Sequence, residues 1–390
     1  MQKLLILGGS HRDIPLIQAA QALDYFVITL GNRDDYLGHN YSNKYYKIDF
    51  NDLEAVEAIY HKEKVSYLIP GCGEESYLST VTLAHKLNIG NFDTLEVAQL
   101  VHNKWKFKEF CLHHNISTPK GIYYKDNLNN ISLSFPIVVK PTKLSGGRGV
   151  QIVKNKVELT SALKESSAYS DEIFLEEFIE GRLIACSVIL QNQKISYSFF
   201  GADESYLNSY LITTAYPISL EKTIRERLLN NIGTIATKLH LVDGMFHLQV
   251  IIKNNIPYII DVTRRIAGDF YPKLIELCDN IKYSQIVIKS YTGIPLEGVL
   301  YPEKEQNFII RHVVMPSKNG LYTGLVIDKI LQQHIINKFE LLKENTSIKD
   351  YFHTQIAIIF IKLPTKDINI LNNINSLINP IIVEYSNEKQ

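Results

Sequence analysis

Cysteine is scarce in this 390-residue chain: Cys72, Cys111, Cys186 and Cys278 lie far apart and form no CxxC pair. That spacing excludes a zinc ribbon and a disulfide-built fold, and it leads us to expect a reducing, cytoplasmic setting. Net charge is missing as well, since 41 Lys plus Arg balance 41 Asp plus Glu. No chain-wide basic field is present to attract nucleic acid, although a local cleft can still be basic. No apolar run nears the roughly 20 residues that span a bilayer, and the opening LLILGGS reads as a strand rather than a secretory segment. Neither nucleic acid nor membrane is expected as a partner. The chain also lacks GxGxxG, GK[ST] and any visible internal repeat, so the dinucleotide fingerprint and the Walker A loop are both absent.

What is present is substantial apolar content, 45% of residues, enough for two or three domains with real cores. LLILGG, YFVITL and VSYLIPG are short apolar runs bounded by turn-formers. DIPLIQAAQAL, NDLEAVEAIYHKEK and STVTLAHKLN carry apolar residues at helical spacing between and after them. Such alternation predicts an open parallel sheet over the first hundred residues or so. Gly8, Gly9 and Ser10 end its first strand, and Gly71, Gly73, Glu74 and Glu75 follow its third. Open sheets bind ligands at such strand ends, but tight turns and the acidic first turn of a helix suit the same residues.

Further on, HNKWKFKEFCLHHN reads as a helix with Trp105, Phe107, Phe110 and Cys111 on its apolar side. FPIVVKP, TKLSGGRG, VQIV and VELTSALKESS then predict two βα units around a Gly-rich turn, a small subdomain able to cover phosphates. Lys140 ends its strand beside Pro141, where an ammonium can reach phosphate as a point charge. Gly146, Gly147 and Gly149, with Ser145, supply backbone that can approach phosphate without a Cβ in the way. LEEFIEG follows, with Glu176, Glu177 and Glu180 around Phe178 and Ile179. These acids suit either a base and ribose or ordinary solvent. A second mixed sheet is expected from CSVILQ, KISYSFF, GMFHLQVIIK and IPYIIDV, with RERLLNNIGTIATKLHLV as an amphipathic helix between them.

In that sheet His247 and Gln249 share one strand face, and Asp261 and Thr263 share the next. A carboxylate and an amide oxygen on paired strands suit a hard cation, with a nucleotide's phosphates completing the shell. The same four residues also suit a hydrogen-bonded core histidine and a sheet edge, and Arg264 suits solvent.

The ordered series NKWKFKEF, VVKP…SGGRGV, LEEFIEG, GMFHLQV and IDVTRR, over about residues 1 to 330, resembles the ATP-grasp enzymes, in particular the carboxylate–amine ligases that include amino-acid ligases. The resemblance implies an α/β and α+β multidomain chain: a Rossmann-like domain over 1–98, a split ATP-grasp module over 99–304 with a lid at about 120–180, and a small C-terminal α+β lobe over 305–390. It implies ATP and Mg²⁺. Lys104 and Lys140 become the nucleotide lysines, Ser145 to Gly149 the flexible lid, and Glu176, Glu177 and Ile179 the hinge at adenine. Glu180 would reach ribose and His247 precede the first metal acid. Arg265 would face the moving phosphate, and Arg311 would line the substrate cleft.

Where the family commonly has Glu, Glu and Asn for its metals, this chain has Gln249, Asp261 and Thr263. One magnesium is then well held and a second weakened. The expected reaction joins a small-molecule carboxylate, an amino acid among the candidates, to an amine, and a homodimer is expected. A bicarbonate-using carboxylase and a noncatalytic nucleotide-binding protein are the alternatives.

Overall fold

The computed structural model describes residues 1–124, 132–141, 149–170, 172–296 and 306–384. Strands β1 (Lys3–Leu7), β2 (Phe26–Gly31), β3 (Lys44–Lys47) and β4 (Tyr67–Pro70) pair in parallel in the order β3-β2-β1-β4. Helices α1 (Ile14–Gln21) and α2 (Leu53–Glu63) cross between them, and α3 (Glu74–Leu87) and α4 (Leu95–His102) follow. The apolar runs of β1, β2 and β4 are the ones read from sequence. The KYYK of β3 escapes that reading because an exposed edge strand needs no apolar face.

Helix α5 (Lys104–His113) starts where the Asn103 side chain accepts from the backbone N–H groups of Trp105 and Lys106. Next come β5 (Gly121–Tyr124), β6 (Ile137–Pro141), β7 (Gln151–Val153), α6 (Lys156–Ser167) and β8 (Ile173–Glu177). Their four strands form an antiparallel sheet, β5-β8-β6-β7, over its own core of Ile137, Val139, Leu159, Leu163 and Leu175. The two βα units expected here are instead a β6–β7 hairpin followed by one helix. Apolar runs alone do not distinguish a hairpin from a crossover when the connection is short.

The remaining strands are β9 (Arg182–Gln191), β10 (Lys194–Glu204), β11 (Thr214–Pro217), β12 (Gly244–Lys253), β13 (Ile256–Thr263), β14 (Phe308–Val314), β15 (Gly320–Ile327), β16 (Ile335–Glu340), β17 (Thr346–Ile348), β18 (Ala357–Leu363) and β19 (Ile378–Val383). Helices α7 (Lys222–Lys238), α8 (Tyr271–Asp279), α9 (Tyr283–Thr292), α10 (Lys329–Gln332) and α11 (Ile368–Leu377) lie among them. Eight strands build one sheet in the order β13-β12-β9-β10-β11-β14-β18-β16, and β17-β15-β19 make a small separate one. Two hairpins of the large sheet turn through Asn192-Gln193 and Asn254-Asn255, all at positive φ. Two-residue turns of this twist favour asparagine.

The sheet has two unlike faces. Ile184, Cys186, Val188, Leu248 and Val250 pack under Leu228, Ile232 and Ile235 of α7. Ala185, Phe199, Ala215 and Met245, on the other face, share a core with Ile14 and Ile17 of α1, Leu274 of α8 and Val287 of α9. That core joins the N-terminal sheet to the large one. The large sheet also runs past residue 305, because β14, β18 and β16 extend it.

Candidate active site

On the face turned toward the N-terminal sheet, register assembles a polar floor. Gln249 of β12 is directly opposite Asp261 of β13, and His247 is opposite Thr263. Directly paired residues of an antiparallel ladder project to the same face. A cleft of about 540 Å³ lies over this floor, lined also by Lys104, Arg265, Arg311, Glu74, Asp203 and Tyr271. The strand ends therefore bring together His247, Gln249, Asp261, Thr263, Lys104, Arg265 and Arg311, seven of the residues expected from sequence, in one place.

Charge is dense here. Lys104 has its pKa raised, chiefly by Asp261, which outweighs burial, with help from Glu74. The Glu74 carboxyl is in turn pushed up by burial and by Asp261. Arg265 lies 4.0 Å from Glu74 and donates to the Ile266 carbonyl at 3.0 Å. His247 is held against Ser187 Oγ at 2.7 Å. Burial, assisted by Arg265, lowers its pKa to about 4, so the ring is neutral at pH 7. Thr263 Oγ1 accepts from the backbone N–H of Arg265 at 3.2 Å, which shapes the turn leaving β13.

Asp203, at the end of β10, was not singled out by sequence. It is 7% exposed, and burial pushes its pKa up to about 7 against the opposing pull of Arg311 and a hydrogen bond from Gln249. Gln249, opposite Asp261 in register, offers an amide oxygen to the same space. Oxygen donors from Gln249 and Asp261, with Glu74 close by, fit a hard cation that takes its other ligands from phosphate and water. Among the described residues no cluster of three or more His, Cys, Asp or Glu is arranged to cage a metal by itself. That donor set suits magnesium arriving with a nucleotide better than a resident ion.

A second charged centre lies at the root of the small antiparallel sheet. Glu176 of β8 is buried between Lys140 Nζ at 2.9 Å and Lys108 Nζ at 3.3 Å. Burial alone would raise the Glu176 pKa, but Lys140 and Lys108 overcome it and leave it lowered. Lys108, which sequence did not single out, is only 3% exposed, and burial draws its pKa down. The LEEF pattern signals a carboxylate at a strand end, but it carries no sign that the carboxylate faces inward to two lysines. Glu177 accepts from the Lys120 backbone N–H, Ile179 is buried, and Glu180 is exposed. Ser145, Gly146 and Gly147 lie outside the described residues, whereas Gly149 is exposed at φ +71°.

Arg264, which by sequence suits solvent, is instead buried. It is 4% exposed and donates to Asp93 Oδ2 at 2.7 Å and to the carbonyls of Met245 and Val242. Among nearby aromatics, Tyr210 lines the cleft, while Phe199 and Phe200 are in the core. Behind β13, Asp269 and Phe270 both have positive φ, 53° and 59°. Non-glycine residues held in the left-handed region concentrate at functional sites. The strained turn aims the Asp269 carbonyl at Arg311, 3.0 Å away, while its carboxylate accepts from Arg12 and Gln355.

A sequence profile described as "D-ala D-ala ligase C-terminus" matches residues 106–255, which span the small antiparallel sheet and strand β12. The formate-dependent phosphoribosylglycinamide formyltransferase of Prochlorococcus marinus is 22% identical over 363 residues, 87% of this chain and 88% of that protein. Among solved structures, the L-amino acid ligase of Bacillus licheniformis superposes with a TM-score of 0.82 at 16% identity, covering 98% of this chain and 99% of the other. The phosphoribosylglycinamide synthetase of Anaerococcus prevotii gives 0.78 at 22%, covering 98% and 100%. Likeness at these identities speaks to fold, and the site residues above carry the chemistry. Fold, profile and relatives agree in one resemblance: the chain has the fold of the ATP-grasp ligases.

Proposed function

We propose that this protein is an ATP-dependent carboxylate–amine ligase that forms an amide through an acyl phosphate. The observation that carries the reading is that Lys104, Arg265, Arg311, Gln249 and Asp261 share one cleft although they come from four elements and one loop of the chain. ATP enters as a substrate. The carboxylate of the second substrate attacks the γ-phosphorus, the bond to the bridging oxygen breaks, and ADP leaves. The amine nitrogen then attacks the acyl carbon, the carbon–oxygen bond to phosphate breaks, and phosphate departs.

This chemistry asks the protein for position and positive charge rather than for a side-chain nucleophile. Lys104 and Lys140 hold the phosphates, Arg265 faces the phosphoryl group in flight, and Arg311 orients the carboxylate. Asp261 and the Gln249 oxygen would hold magnesium, which when bound neutralises charge on the triphosphate. The buried cysteines need no catalytic role.

A matrix of carboxylates against amines, with ADP formation and product mass both recorded, tests this. We expect ADP and an amide of matching mass from one pairing. ADP only when bicarbonate is supplied would instead make the protein a carboxylase. Nucleotide binding without turnover across the matrix would make it a noncatalytic member of the superfamily.

A further inference from the structure

Four polar atoms in the wall of the cleft are buried and have no hydrogen-bond partner among the described residues: Arg265 Nε on the phosphate side, and Asp203 Oδ1, Tyr271 Oη and Arg311 Nε grouped on the other. A buried polar atom left unpaired costs about 1–3 kcal/mol, so native structures seldom leave several together unless a ligand completes them. Register explains why they do not satisfy one another. Asp203 of β10 is opposite Ala215 of β11, and Ala215 is opposite Arg311 of β14. The acid and the guanidinium thus face the same space with one strand and one methyl group between them, about 10 Å apart at the backbone. No ion pair between them is present among the described residues.

Each is also held from behind. Arg311 donates to the carbonyls of Asp269 at 3.0 Å and Ile212 at 3.3 Å, and its guanidinium carbon lies 5.9 Å from the centre of the Tyr271 ring. Tyr271 reaches the floor because Gly201, two residues before Asp203, has no Cβ: a methyl there would sit 2.3 Å from the Tyr271 hydroxyl. Asp203 is held by the pairing of its strand with β11, and Gln249 beside it draws its carboxyl pKa down. A positive and a negative group are thereby fixed apart, facing a shared cavity.

We propose that Asp203, with the Tyr271 hydroxyl, is a specificity-determining subsite for a protonated primary amine carried by the same substrate whose carboxylate faces Arg311. The substrate is then an amino acid, and a simple acid is rejected. Formate or bicarbonate would fill the Arg311 side and leave Asp203 and Tyr271 unpaired, a penalty that discriminates by omission. The inference rests on the ligase reading for the meaning of the cleft, but its test does not depend on turnover.

The test is calorimetric titration of common amino acids, each beside its des-amino counterpart (alanine and propionate, leucine and 4-methylpentanoate), together with formate and bicarbonate, all in the presence of MgADP. We expect at least one amino acid to bind about 10- to 100-fold more tightly than its des-amino partner, the range of one charge-assisted hydrogen bond. Asp203→Asn, nearly isosteric, should shrink that ratio to about twofold or less while moving the des-amino affinity little. Equal binding within every pair, no amino-acid binding at all, or a ratio unchanged in a folded Asp203→Asn protein overturns the subsite. If that variant does not fold, the wild-type pairs decide alone. ADP formation followed in parallel separates the two readings: amino-acid preference without ADP retains the subsite and ends the ligase proposal, and ADP from acids of either kind without preference does the reverse.

Discussion

Gln249 holds two roles that pull against each other. Its amide draws the Asp203 carboxyl pKa down, and its register sets it against Asp261. Gln249→Glu would remove a neutral amide and add a third carboxylate beside buried Asp203 and half-buried Asp261. Without metal, like charges at this spacing repel, and the variant should melt several degrees below wild type. With millimolar magnesium and ADP the added ligand should reverse much of that loss, giving a larger metal-dependent rise in melting temperature than wild type shows. Thermal melts with and without magnesium check this. A variant indistinguishable from wild type in both conditions would place Gln249 away from the cation. Sequence could pair Gln249 with Asp261, because two alternating strands joined by a short Asn-Asn turn constrain register. It could not find Asp203, whose importance depends on a neighbouring strand far away in the chain.

At the scale of elements, the turn leaving β13 separates two arginines adjacent in sequence. Arg265 turns into the cleft, whereas Arg264 turns back to bind Asp93, which also accepts from the Val242 backbone N–H. This buried pair fastens the segment before α4 to the end of β13. Arg264→Met should leave Asp93 as an unpaired buried charge and cost about 3–5 kcal/mol, read as a large fall in the denaturation midpoint. Pairing it with Asp93→Leu should restore part of the loss. The alternating strands and periodic helices around the site were legible because local pattern encodes them. The inward turn of Arg264, like the burial of Lys108 against Glu176, was not, since a charge that is paired inside looks in sequence like one that is solvated outside.

For the whole molecule, the eight-stranded sheet is the unit that matters. Strand β11 pairs with β14 and β14 with β18, so a chain ending at residue 305 would lose three strands of this sheet and the whole β17-β15-β19 sheet, leaving β11 as a bare apolar edge. We expect that truncation to be insoluble, while the small sheet of β5 to β8, with its own core, should show faster amide exchange than the large sheet in the intact protein. Soluble yield and hydrogen exchange measure the two. A soluble, folded 1–305 fragment would count against this division. The turn at Asp269 has one further consequence. Its carboxylate is gripped by Arg12 from beside α1 and by Gln355 from ahead of β18, and its carbonyl steadies Arg311. Three distant stretches of chain are moored to a single residue, so the substrate chamber will keep or lose its shape in one event rather than wall by wall.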